Sequence, residues 1–285
     1  MIPQREIRAK ALEKGVSPEI VDKDWVLSHV LKGICEMPDL GEHLVFKGGT
    51  CLKKCFFPDY RFSEDLDFTA TLDNLNIDSA LIQGLCERIF EQSGIRLDVP
   101  QIKEQRFKDV MVGYEVKIKY WGANHPKNRR PPESQRWITS IKIDANWYEK
   151  MIFPTIEQSI IHDYSDFKVF KDFRVRTYAI EEVLSEKLRA LIQRKYKAAR
   201  DYFDIWTLNQ RIIDLDWETI HDAFLEKCGY KNIVFEGIGQ VLNEDIKLKL
   251  EQQWHANLKN QLRAEDFHSL DVIYDDLTVL FQKIF

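Results

Sequence analysis

The sequence is poor in cysteine, has no long apolar run and carries no surplus of positive charge. Its five cysteines (Cys35, Cys51, Cys55, Cys86, Cys228) are odd in number, scattered, and without a C-x-x-C pair. That spacing argues against both a disulfide framework and a zinc site. Cys51 and Cys55 are four apart, which puts them on one helix face as packing residues. No stretch approaches the roughly 18 consecutive apolar residues of a membrane span. The charged opening, MIPQREIRAKALEKG, has no apolar segment of the kind a signal peptide needs. A cytoplasmic protein with no membrane partner is therefore expected. The formal net charge of −5 excludes a uniformly basic nucleic-acid binder, although a local basic patch stays open. The seven histidines are dispersed, and none is assigned to catalysis. There is no internal repeat and no low-complexity segment.

What is present is a chain of 285 residues, 44% hydrophobic, long enough for one large domain or two smaller ones. From Ile212 to Phe285 there are 14 acidic and 7 basic residues; the first 211 residues carry 34 basic and 32 acidic. A polyanion should therefore approach the front of the chain. Residues 4–36 read as helical, with Ile20, Val21, Trp25, Val26 and Val30 at helical spacing and Ser17-Pro18-Glu19 as the start of a helix. Leu44-Val45-Phe46 reads as a short buried strand that stops at Gly48-Gly49. A helix over residues 50–57, a strand carrying Asp65 to Phe68, and a helix over residues 79–92 follow. Alternation predicts strands over residues 110–120 and 137–145, separated by a loop rich in Pro and Arg. From about Ile180 the chain reads as mostly helical. The expected class is α+β: a mixed β-sheet core with flanking helices over residues 1–175, and a mainly helical domain over 176–285.

The chemistry concentrates between Leu44 and Ala70, LVFKGGTCLKKCFFPDYRFSEDLDFTA. Asp65 and Asp67 are two apart on a predicted strand, so both side chains point to one face. Two carboxylates that close repel each other unless a cation sits between them. Mg²⁺ takes oxygen ligands and commonly keeps water and phosphate oxygens as its others. Gly48-Gly49-Thr50 lies between a strand and a helix, where the backbone can approach a phosphate and helix N–H groups face it. The Thr50 hydroxyl can add a hydrogen bond, and Lys53 or Lys54 can add charge, or both lysines are solvated helix positions. Each element has an ordinary reading too, the glycines as a plain turn and the Asp pair as a strand surface. Their combination at this spacing favours a metal–triphosphate site.

GGT followed by RFSEDLDF resembles the signature of the AbiEii/AbiGii toxin family of nucleotidyltransferases, MenT-like members of the DNA-polymerase-β-like superfamily. Asp22-Lys23-Asp24-Trp25-Val26 resembles the family's N-terminal "EKDYWV" element, with Asp in place of Glu. The segment IEEVLSEKLRAL (residues 180–191) resembles its "ELLAEKLHAL" helix, and RDYFDI (residues 200–205) resembles "RDLYDL". The four motifs stand in the family's order and span roughly residues 20–210. The last 75 residues carry no motif of the family.

Carried over residue by residue, the resemblance implies a nucleotidyltransferase core and an NTP co-substrate. Gly48, Gly49 and Thr50, with Lys47, Lys53, Ser63, Lys187 and Arg194 around them, would hold the nucleotide. Asp65 and Asp67 would bind Mg²⁺ or Mn²⁺. Asp144, which alternates with Ile141 and Ile143, would be the third carboxylate, metal ligand and general base; its ordinary reading is a surface Asp. Lys187 would reach the phosphates rather than sit solvated. Of Asp201 and Asp204, neighbours on one helix face, one would orient Lys187 or Arg194 or close the site, and the other would cap the helix or pair with Arg200.

Lys117, Lys119, Lys127, Arg129, Arg130 and Arg136 fall within twenty residues containing one acid, with Trp121 and Trp137 beside them. They read either as a surface for a nucleic-acid acceptor or as a solvated hairpin tip over core tryptophans. Arg189, Arg194, Lys195, Lys197 and Arg200 form a second basic group. The resemblance implies NMP transfer to an acceptor hydroxyl, with the 3′ end of tRNA as acceptor. The protein would be the toxin of a toxin–antitoxin or phage-defence pair, with a cognate antitoxin as partner. The alternatives are a protein or small-molecule acceptor, and a nucleotide-binding module without catalysis.

Overall fold

Gly15, left-handed at φ 65°, divides the N-terminal helical stretch into α1 (Gln4–Lys14) and α2 (Pro18–Cys35). In this computed structural model, residues 1–126, 128–194 and 198–285 are described, without the side chains of His255, Asn257 and Ala264. Pro18 presets the first helical φ of α2. Val21, Trp25, Val26, Val30 and Leu31 are then fully buried along it. A short turn of helix, α3 (Pro38–Gly41), leads to β1 (Leu44–Lys47), α4 (Gly48–Cys51) and a π-helical turn over Leu52–Phe56. After β2 (Asp65–Ala70) and α5 (Ser79–Ser93) come β3 (Arg96–Phe107), β4 (Val110–Trp121), β5 (Ser140–Asn146), β6 (Ile156–Ser159) and β7 (Arg174–Thr177).

The seven strands form one mixed sheet in the order β3-β4-β5-β2-β1-β7-β6. The β2/β5 and β1/β7 pairs are parallel and the other four are antiparallel. Period-two alternation decides what each face does. On β5, Ile141, Ile143 and Ala145 are buried, while Lys142, Asp144 and Asn146 are only half-buried. Leu66 and Phe68 of β2 and Val116, Ile118 and Tyr120 of β4 join the apolar side, and α2 and α5 supply its cover. The opposite side of β2, β4 and β5 is polar.

β3, β6 and β7 lie outside the strands that alternation predicts. β3 is an edge strand, mostly exposed on both faces, and it contains Pro100 and seven charged or amide side chains. Edge strands need no apolar face and tolerate proline, so no pattern marks them. Val99, at φ 53°, sits in a bulge between Asp98 and Gln101. β6 and β7 have four residues each, too short for a period to register.

Met1–Glu149 and Thr155–Thr177 make one compact unit; Lys150–Pro154 and Tyr178–Phe285 make a second. The second unit is helical: α6 (Ile180–Gln193), α7 (Ala199–Arg211), α8 (Trp217–Tyr230), α9 (Glu244–Gln253) and α10 (Leu270–Ile284). Asp216 and Asn243 cap α8 and α9 by accepting from the amides of Thr219 and Ile246. Along α10, Leu270, Ile273, Leu277 and Phe281 are buried, while Asp271, Asp275 and Asp276 are exposed. The acidity of the C-terminal part is thus a solvated helix surface. Among the described residues, no helix is long and apolar enough to cross a membrane.

The N-terminal DKDWV stretch is an internal anchor. The Asp22 carboxylate accepts from the amides of Ala123 (2.7 Å) and Asn124 (3.1 Å), and burial pushes its carboxyl up to about 7 despite them. Asp24 pairs with Lys54 at 2.7 Å and accepts from the Tyr164 hydroxyl at 2.8 Å. Burial opposes the charged form of Asp24, but Lys54 and Lys53 hold its carboxyl below the ordinary value. Trp25 donates from its indole to Asp166. Lys54 is therefore not a solvated helix position, since its side chain is 2% exposed. Lys54→Met should cost about 3–5 kcal/mol by leaving Asp24 buried without its paired ammonium. Urea unfolding measures this, and a cost below about 1 kcal/mol would remove the pair from the account.

Candidate active site

Asp65, Asp67 and Asp144 come together because β2 and β5 are parallel neighbours. Asp65 pairs with Lys142 and Asp67 with Asp144, all on the polar face. On the other side of β2, Lys47 of β1 pairs with Asp67. Burial, then Asp144 and Asp65, push the Asp67 carboxyl up to about 6. Burial likewise raises Asp144, against a hydrogen bond from Gln105 at 2.8 Å. The Lys142 ammonium lies 3.4 Å from Asp65. Burial works against that ammonium, yet the three carboxylates raise its pKa above the ordinary lysine value.

The glycine turn abuts this group. Gly48 has φ +81°, and a Cβ there would fall 2.4 Å from Asp67 Oδ2. Only glycine lets the chain turn this close to the carboxylate. A Cβ on Gly49 would meet the Arg61 guanidinium at 2.7 Å and the Ser63 hydroxyl at 3.3 Å. Gly48, Gly49, Ser63, Lys47 and the two strand aspartates are thus one cluster. Thr50 belongs to its frame: it is buried, and its hydroxyl donates to the Asp65 carbonyl at 2.5 Å, tying the turn to β2.

Lys53 is directed elsewhere. Its ammonium lies 3.1 Å from the Tyr60 carbonyl and 4.1 Å from the centre of the Phe62 ring, and burial lowers its pKa to about 8. It closes the turn over residues 57–62, and the π-helical winding of Leu52–Phe56 directs it there. The charge beside the glycines comes instead from Lys47 and from Arg61, which is 3% exposed.

Lys187, Asp201, Asp204 and Arg194 form a cluster in the helical unit. Lys187 Nζ on α6 lies 2.5 Å from Asp204 Oδ2 and 3.3 Å from Asp201 Oδ1, both on α7. Arg194, at the end of α6, donates to the other oxygen of Asp201. Asp201 therefore serves both cations. Glu182, also in this motif, is buried; it pairs with Lys227 and accepts from the amides of Ile152 (2.8 Å) and Phe153 (2.7 Å). Lys195 and Lys197 lie outside the described residues, as does Lys127.

Gln105, Asn146 and Lys142 carry no motif signal at the level of sequence, and Arg61 opens the RFSEDLDF motif without a role being read for it there. Asn146 donates to Gln105 at 3.0 Å and Gln105 to Asp144, a chain that fixes the third carboxylate. Gln105 comes from the unpatterned edge strand, so only the sheet pairing reveals it. Lys142 alternates with Ile141 and Ile143, and that alternation was the available signal. Of the tryptophans beside the basic loop, Trp121 is half-buried and Trp137 is buried with its indole on the Pro132 carbonyl at 3.0 Å.

One further group has ligand chemistry. His29, His162 and Asp166 converge with Asp166 accepting from Trp25 (3.0 Å), and the histidine Nε2 atoms lie 2.9 and 2.8 Å from its two oxygens. Burial opposes the charge, but the histidine contacts hold the Asp166 carboxyl below the ordinary range. Each carboxylate oxygen is thus met by a ring nitrogen, and the group bridges α2 and the segment after β6. It draws on positions far apart in sequence, which hid it from inspection.

The donor set at Asp65, Asp67 and Asp144 is all oxygen and concentrated, and Lys142 and Lys47 offset its charge only in part, which suits a hard divalent cation. The Asp67 carboxyl is raised first by burial and then by the neighbouring Asp144 and Asp65 charges.

The chain was compared with known proteins. No curated protein matches it in sequence. MenT4, a nucleotidyltransferase toxin from Mycobacterium tuberculosis H37Rv, is 17% identical and covers 98% of this chain and 99% of its own, with a TM-score of 0.56. That likeness speaks to the fold. An antigenic nucleotidyltransferase-like protein from Paracoccidioides brasiliensis aligns over 85% of this chain and 95% of its own at 12% identity, but its TM-score of 0.36 carries no argument. The model of the nucleotidyl transferase AbiEii toxin of type IV toxin–antitoxin systems matches residues 29–276. The chain therefore belongs to the AbiEii toxin family and is a nucleotidyltransferase.

Proposed function

We propose that the protein transfers an NMP from an NTP to the 3′ hydroxyl of an RNA, a tRNA by the family resemblance, as the toxin of a toxin–antitoxin or phage-defence pair held in check by a cognate antitoxin. The observation that carries the reading is the juxtaposition of three carboxylates, Asp65, Asp67 and Asp144, with the Gly48–Gly49 turn. Asp65, Asp67 and Asp144 are the residues to hold Mg²⁺, or Mn²⁺. When bound, the cation supplies charge neutralisation for the triphosphate and the developing pyrophosphate.

The chain's own part is positioning and proton handling. The Gly48 and Gly49 backbone, bare of Cβ, gives the phosphates room against β2, and Lys47 and Arg61 add positive charge beside it. Ser63 faces the same turn. Lys187, held by Asp201 and Asp204, and Arg194 are proposed as nucleotide-binding residues on the family resemblance alone. The acceptor oxygen attacks the α-phosphorus, the α–β anhydride bond breaks, and pyrophosphate leaves. The hydroxyl proton passes to Asp144, whose carboxylate Gln105 orients.

RNA is favoured over protein or small-molecule acceptors because the polar face running from Asp144 across β4 carries Lys117 and Lys119. Incubating the protein with cell lysate and each α-³²P-labelled NTP, with and without RNase, tests this. Label should enter an RNase-sensitive band, and Asp65→Ala should abolish it. Full labelling by that variant would overturn the site. Label in protein alone would overturn the RNA acceptor, and heat stabilisation by NTP with no transfer would point to a binding module.

A further inference from the structure

We infer that the acceptor reaches Asp144 as a single strand laid over the polar face of β3, β4 and β5, with its upstream bases stacked at Trp121. This rests on the nucleotidyl-transfer reading and adds the form and path of the acceptor.

The register builds the track. Asp144 pairs with Glu115, and Glu115 with Lys103; one rung further, Lys142 pairs with Lys117, and Lys117 with Gln101. Paired residues share a face, and so do residues two apart on a strand. Lys117, Lys119 and Trp121 of β4 therefore stand in line on the face that carries Asp144. Lys103 and Lys117 are exposed, whereas Val116, Ile118 and Tyr120 on the reverse are buried. Lys119 is held on the Gln135 carbonyl, which fixes the loop beside the track.

The far end is aromatic. The Trp121 ring stacks on His125 with centroids 3.5 Å apart at 17°, and the Arg129 guanidinium lies 6.0 Å from the Trp121 ring. Trp137 is excluded as a platform because its indole is buried and bonded to Pro132. From Glu115, level with Asp144, to Trp121 is six residues, about 20 Å along a strand. That is room for about six stacked nucleotides at 3.4 Å each, and fewer if they are extended.

The arrangement selects unpaired nucleic acid. Lysines spaced along a strand track one phosphate backbone, and a ring stack takes the face of a base only when that base is unpaired. A duplex hides its base faces and is recognised by its shape and 2′-hydroxyls.

The test uses the full chain, a short single-stranded RNA of mixed sequence, and the same strand annealed to its complement. Binding is read by fluorescence anisotropy over a salt series. The single strand should bind about ten-fold more tightly than the blunt duplex. The double variant Lys103→Glu/Lys117→Glu should bind it about ten-fold more weakly, with a slope of log affinity against log salt smaller by about 1.4 for two lost phosphate contacts. Trp121→Ala should raise the acceptor KM about ten-fold with the KM for NTP unchanged, and Trp121→Phe should restore most of it. Equal binding of duplex and single strand, or charge-reversal and Trp121 variants that bind as the wild type does, overturns the track. If lysate RNA is still labelled by the wild type, the nucleotidyl-transfer reading stands when the track falls. Absence of any labelled RNA would remove that reading first and the track with it.

Discussion

Asp67→Asn is expected to cut nucleotidyl transfer by about 10³-fold while making the metal-free protein more stable. The loss follows from removing a central member of the carboxylate group that gathers charge for the triphosphate. The gain follows from electrostatics. In the folded chain, burial, Asp144 and Asp65 push the Asp67 carboxyl to about 6 from an ordinary 3.8. Between those two values the folded state holds a proton that the unfolded state has released. At this residue, stability therefore falls as pH rises from about 4 to about 6, and the cost is fully present at neutral pH. A two-unit shift corresponds to about 3 kcal/mol. Because the side chain is only half-buried, solvent screening reduces the gain from Asn to about 1–2 kcal/mol. Thermal melts in EDTA at neutral pH and at pH near 5 measure it. The Asn variant should melt higher at neutral pH, and the difference should shrink on acidification. A variant that is less stable in EDTA, or keeps transfer within ten-fold of wild type, would remove Asp67 from the centre of the site. Both effects have one origin: carboxylates gathered where burial and mutual repulsion oppose their charge.

Lys187→Met should lose transfer and also destabilise the helical unit, by about 3–5 kcal/mol. Asp204 has no side-chain exposure and Asp201 has 5%, so removing the ammonium between them leaves two neighbouring carboxylates in a poorly solvated place. Arg194 stays with Asp201, so the 2.5 Å contact to Asp204 is the one the substitution removes outright. Lys187→Met/Asp204→Leu should therefore recover much of the stability, since well-packed apolar side chains can replace a buried pair. It should not recover transfer. Urea unfolding and NMP incorporation, measured on both variants, separate the two roles. If the double variant regained activity with stability, Lys187 would be a structural cation only, and its assignment to the triphosphate would fall.

The two groups of site residues were unequally visible in the sequence. Asp65 and Asp67 declare themselves because period-two spacing and local repulsion can both be read from five consecutive letters. Gly48 and Gly49 read alone as a plain turn, and only their place ahead of RFSEDLDF singles them out. Lys53 looked equally suitable, yet its ammonium turns back onto the Tyr60 carbonyl. Nothing in LKKC distinguishes a lysine facing phosphate from one closing a turn, since the π-helical winding shifts the phase of the helix there. Gln105 and Asn146 were invisible for a different reason. Their partners lie on other elements, and Gln105 stands on an edge strand whose sequence has no apolar rhythm.

By itself, then, the sequence determined the local devices: the glycine turn, the paired strand carboxylates, the amphipathic helices of the second unit, and the ordered motifs that mark the AbiEii family. Local period and sterics suffice for these, because each depends on residues within a few positions of one another. Only the tertiary structure decided which devices act together. The parallel pairing of β2 with β5 brings Asp144 beside Asp67 across some 77 residues of chain. The antiparallel pairing of β5 with β4 puts Lys117 on the same polar face. It also decided that DKDWV is an anchor, with Asp22 on the amides of residues 123 and 124 and Asp24 on Lys54. Register between distant strands is set by the burial of whole faces rather than by any local preference.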